Sequence, residues 1–92
     1  MRKLEKEFRE ELSKMPAERV GLKQIDEFII ELYTDNFYGN KLQVYRKDSD
    51  NNWIKLGQKT FNALVNARYV FDEMKNKNYV TDFCEKYKEH EN

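Results

Sequence analysis

The stretch DEFIIELYTDNFYGNKLQVYRKDSDNNWIKLGQKTF, Asp26 to Phe61, decides the fold. It reads as three short strands, Glu27 to Thr34, Lys41 to Lys47 and Asn52 to Gln58, separated by turn-rich runs. Successive side chains in a strand point to opposite faces, so a period of two is the diagnostic pattern. Phe28, Ile30 and Leu32, then Leu42 and Val44, then Ile54 and Leu56, step by two and are all large and apolar. The complementary set is mixed: Ile29, Glu31 and Tyr33, then Gln43 and Tyr45, then Trp53 and Lys55. That asymmetry predicts an antiparallel sheet with one fully covered side. The intervening Asp35-Asn36-Phe37-Tyr38-Gly39-Asn40 and Asp48-Ser49-Asp50-Asn51 carry residues whose side chains bond their own backbone or whose φ can be positive.

The first strand has a rival reading. Leu22, Ile25, Phe28, Ile29 and Leu32 also fit a spacing of three and four, which is helical. On that reading the sheet shrinks to a two-stranded hairpin, which would depend on the helices around it.

Outside this stretch the pattern is helical. Leu4, Phe8, Leu12 and Met15 form one apolar stripe on a charged cylinder over residues 2–15, ended by Pro16. Ala17 to Val20 reads as a further turn, broken by Gly21. After Thr60, a reasonable N-cap, Phe61, Leu64, Ala67, Phe71 and Met74 mark a helix to about Lys75 that should lie on the apolar sheet face. A last helix from about Tyr79 to Glu89 gathers Val80, Phe83, Cys84 and Tyr87 on one side, with Asn78 or Thr81 as its cap. The expected fold is a single α+β domain, residues 1–92, with a three-stranded meander or two-stranded hairpin packed on amphipathic helices in the order α-β-β-β-α-α.

Composition narrows the function classes. The chain is strongly polar, with a mean hydropathy of −1.01, yet six Tyr, six Phe and one Trp give it enough large apolar units to build a core. Lys and Arg cancel Asp and Glu, 17 against 17, so total charge gives no pointer to nucleic acid. The charge is uneven along the chain: residues 21–40 sum to −3 and residues 41–60 to +3, which suggests charge pairing between neighbouring strands. One cysteine, Cys84, precludes an intramolecular disulfide and fits a reducing cytoplasm. The N-terminus lacks an apolar signal core, and no run approaches a membrane span. Abundant Lys, Asn, Tyr and Glu with few Ala, Gly and Pro is what an AT-rich genome encodes, as in a low-GC bacterium or its phages.

Catalytic chemistry is poorly supplied. The one histidine, His90, lies near the C-terminus, and Cys84 points with the core residues of its helix. One Cys and one His cannot build a structural zinc site, and no metal or other cofactor is expected. Asp48, Asp50 and Asn52 resemble the opening of a calcium loop, but Trp53 and Lys59 stand where that motif needs Gly and Glu. The protein is therefore expected not to be an enzyme.

Two binding readings follow. The first is a small cytoplasmic regulatory protein, a phage or mobile-element inhibitor or adaptor acting by protein contact, with Phe37 and Tyr38 in their turn as candidate contacts. The second is a nucleic-acid module stacking bases on Tyr33, Tyr45 and Trp53, with Lys41, Arg46 and Lys55 beside them. The helix-strand-strand-strand-helix order is also that of double-stranded-RNA-binding domains, although Gln58-Lys59-Thr60-Phe61 offers one lysine where those begin a basic helix. Homo-oligomerisation through the first helix or a strand edge is compatible with either.

Overall fold

A computed structural model describes residues 4–7, 18–35 and 39–88. Its core is a four-stranded antiparallel sheet in sequential order, β1 (Glu18–Ile25), β2 (Phe28–Asp35), β3 (Gly39–Lys47) and β4 (Trp53–Phe61). The helical segment α1, described over residues 4–7, precedes it, and α2 (Leu64–Glu73) and α3 (Lys77–Lys86) follow. The order is α-β-β-β-β-α-α, so the expected three-stranded meander is wrong by one strand and the hairpin by two. With them goes the parallel to double-stranded-RNA-binding domains.

The added strand is β1. Residues 18–20, expected as part of a helical turn, are extended, and Gly21 lies inside a strand instead of ending a helix. Its absent side chain makes room for a ring: a Cβ built there would lie 3.1 Å from Phe71 Cζ. The helical reading of Leu22 to Leu32 fails because that segment is two strands joined at Asp26 and Glu27. Asp26 takes φ of 54°, the left-handed conformation a tight hairpin needs and which Asp tolerates better than most residues. Gln24 Nε2 donates to the Asp26 carbonyl at 2.9 Å across this turn.

Register places Phe28, Ile30, Leu32, Leu42 and Val44 on one face, called lower here. They are buried with Ala67, Met74, Val80 and Phe83 of the two C-terminal helices, as the period-two pattern requires. Two β-bulges disturb the pattern. One adds Val20 to β1 and the other adds Leu56 to β4. Beyond Leu56 the alternation changes phase, so Gly57, Lys59 and Phe61 face down with Val44, Leu42 and Asn40. Ile54 pairs with Arg46 at the end of the sheet and is only half-buried.

The turn between β3 and β4 is built as its residues suggest. Asp48 Oδ1 accepts the N–H groups of Asp50 and Asn52 at 2.9 Å each. The calcium-like spacing therefore serves a turn. Thr60, expected as a cap, is in β4, and α2 starts after Ala63 with Leu64. Asn76 caps α3, accepting from Asn78 N at 3.0 Å and Tyr79 N at 3.3 Å, where Asn78 or Thr81 had been expected. Of the first helix expected over 2–15, residues 4–7 are helical and the rest lies outside the described residues.

Candidate functional site

The upper face of the sheet carries the aromatic and basic residues singled out for nucleic acid. Tyr33, Lys41, Tyr45, Trp53 and Lys55 all lie on it, each half-buried. Arg46 does not: it pairs with Phe28 and points to the lower face, because it sits one position out of step with Tyr45. Tyr33 is opposite Lys41, four positions along β3 from Tyr45, which is roughly 13 Å. The three aromatics therefore share a face without forming one stack.

The centre of that face is covered. Ile29 is 0% exposed, Gln43 2% and Glu31 7%. This face is buried although its pattern is mixed, because polar residues there bond one another. Arg19 Nε donates to Glu31 Oε2 at 2.9 Å, and Gln43 Nε2 donates to Glu31 Oε1 at 3.2 Å. At the far end Lys47 Nζ meets Glu7 Oε2 of α1 at 2.8 Å and lies 5.1 Å from the centre of the Trp53 ring. Glu7 of α1 thus reaches the Lys47 end of this face. Lys55 Nζ donates to Gln58 Oε1 at 2.8 Å. Tyr33, Lys41, Tyr45 and Trp53 each interact within the chain as well.

Among the described residues, no directly opposed positions of β2 and β3 carry opposite charges. Tyr33 faces Lys41 and Glu31 faces Gln43. Among the described residues, ion pairs between different elements run from Arg19 to Glu31, from Lys47 to Glu7, and from Lys77 to Glu27 at 3.5 Å.

Phe37 and Tyr38, the candidate protein contacts, lie outside the described residues, as does His90. Cys84 is half-buried against the core cluster, and burial pushes its thiol up to about 11; Arg46 opposes that rise and Glu85 adds to it. A thiol so placed is a weak nucleophile at neutral pH. Among the described residues no group of three His, Cys, Asp or Glu is arranged to hold a metal. No helix among them is long and apolar enough to cross a membrane.

A surface not anticipated from the sequence lies on α2. Val65 is 73% exposed and Tyr69 67%, and Leu64 and Arg68 beside them are also exposed. Residues four apart on a helix are neighbours, so Val65 and Tyr69 form one patch with Arg68 on its border. The signal was present: Val65 and Tyr69 fall off the Ala67-Phe71-Met74 stripe that meets the sheet. A helix 10 residues long can bury only one side on a sheet.

Comparison of the chain with protein-family models, with curated proteins and with solved structures found no match.

Proposed function

We propose that this protein works by protein–protein contact, as a small non-enzymatic cytoplasmic regulator of the inhibitor or adaptor kind, and that the water-facing side of α2 is its contact surface. One observation carries the reading: Val65 and Tyr69, both more than two-thirds exposed, adjoin on that helix. Isolated apolar residues on a surface are ordinary, but an adjoining Val, Tyr and Leu bordered by Arg combine apolar area with the residue types that anchor interfaces. The free thiol of Cys84 fits a reducing compartment. Burial at the centre of the upper face weighs against base stacking there, since a base needs an open aromatic face.

The test is affinity capture from a host lysate by the tagged protein and by a Val65→Asp/Tyr69→Ala variant, each with and without nuclease. The expected result is a nuclease-resistant protein partner lost in the variant, whose melting temperature stays near that of the parent. Capture unchanged by the double substitution would remove α2 as the contact. Material lost on nuclease treatment would instead restore the nucleic-acid reading.

A further inference from the structure

Below the sheet, α3 and the ends of β2, β3 and β4 enclose an open groove of about 460 Å³. That volume falls within the range of small-molecule sites, roughly 300 to 1,000 Å³. Its floor is apolar: Phe28 and Leu56. Its far wall is Thr81, Cys84 and Glu85, at i, i+3 and i+4 on one side of α3, with Lys88 just beyond the end of that helix.

Arg46 closes the groove from β3. It stands on the lower face because it pairs directly with Phe28 and Ile54. Arg46 is half-buried as a residue, and among the described residues no side-chain hydrogen bond or ion pair engages it. The other charges are already committed. Lys55 borders the groove, but its ammonium is held by Gln58 on the upper face at 2.8 Å. Glu85 lies 3.7 Å from Lys88, and both are well exposed, so they largely screen each other. Arg46 is left as a planar, five-donor cation sharing the groove with the Phe28 ring and Leu56, and its charge reaches Cys84 on the opposite wall.

We propose that this groove binds a small single-headed anion with an apolar body, the head on Arg46 and the body over Phe28 and Leu56. A carboxylate matches the guanidinium fork in two parallel hydrogen bonds, stronger than neutral ones. The apolar floor discriminates against bare inorganic anions, which gain nothing from it. The groove shares no residue with the exposed side of α2, so either reading can fail without the other.

Octanoate and octanol are the probes, titrated into the full-length protein by calorimetry with amide shifts followed by NMR. The expected result is one octanoate per chain, with shifts centred on Phe28, Leu56, Thr81 and Cys84. Octanol should bind about tenfold more weakly or worse, as should octanoate to Arg46→Gln, from the loss of a charge-assisted pair. Equal affinity for octanoate and octanol would overturn the proposal on the unaltered protein, whatever the variant does. So would shifts clustered elsewhere, or no heat and no shifts at millimolar octanoate.

Discussion

The backbone N–H of Gln58 donates to the carbonyl oxygen of Tyr87 at 3.0 Å, fastening the end of α3 to the outer edge of β4. The adjoining Gly57 faces Lys88 in an isolated bridge. An edge strand presents unpaired donors and acceptors that invite another chain, and here the protein's own last turn occupies part of them. The docking is close because Gly57 has no side chain: a Cβ there would lie 3.1 Å from Tyr87 O and 3.3 Å from Cys84 Cα.

Gly57→Ala is therefore expected to destabilise the protein by about 1 to 3 kcal/mol, the usual range for overpacking, despite the entropy that Ala removes from the unfolded chain. The atoms it meets are backbone and held in the hydrogen bond to Gln58. Gly21→Ala meets the Phe71 ring, whose side chain can shift, and should cost less. Denaturant melts of the two variants provide the comparison; equal effects would mean that the α3 docking is not rigid.

Ala67 is fully buried where α2 crosses the lower face. Ala67→Leu should destabilise by about 1 to 3 kcal/mol through overpacking. An unchanged melting temperature would count against α2 docking at this distance.

Glu31 accepts from both Arg19 and Gln43, with side chains 9% and 19% exposed for Glu31 and Arg19. Removing the shared acceptor takes one buried partner from each of two donors, so Glu31→Ala should cost about 1 to 3 kcal/mol. Arg19→Met combined with Glu31→Leu should cost less than the sum of the single changes, because a buried pair replaced by apolar groups leaves no uncompensated charge. Additive costs in that double-mutant cycle would show that the pair is not coupled.

Cys84 should react slowly and titrate late. With its thiol near 11 instead of 9.0, the thiolate fraction at pH 8 is lower by about 100-fold, and alkylation should slow accordingly. The folded pKa lies above the unfolded one, so the associated stability is complete below about 9.0 and disappears as pH rises through about 11. Lys23 acts in the opposite sense. Burial, reinforced by Lys75 and opposed by Asp72, lowers it from 10.5, so its penalty fades as pH rises through that region. Cys84→Ala should flatten the alkaline loss measured by denaturant melts between pH 8 and 11, and Lys23→Met should deepen it. A Cys84 alkylation rate equal to that of an unfolded peptide would refute the burial.

The amino-acid sequence by itself determined the lower face of β2 and β3. Alternation commits Phe28, Ile30, Leu32, Leu42 and Val44 to one side regardless of their neighbours, and the i, i+3, i+4 spacing commits Ala67, Phe71 and Met74 to meet them. It also determined the Asp48 turn, whose hydrogen bonds are local. Tertiary structure alone decided the rest. β1 has Gly21 at its centre, a bulge at Val20 and a tight turn at Asp26-Glu27 without Gly or Asn, so no local preference announces a strand; pairing with β2 makes it one. The bulge at Leu56 moved Gly57, Lys59 and Phe61 to the lower face, a phase change that period-two reading cannot foresee. Burial of Glu31 and Gln43 required partners from other strands, because polar side chains enter an interior only when their hydrogen bonds are met there, and those partners are distant in sequence. The same holds for the α2 patch: Val65 and Tyr69 are exposed because the sheet can cover only one side of a helix, and which side it covers is a property of the packed molecule.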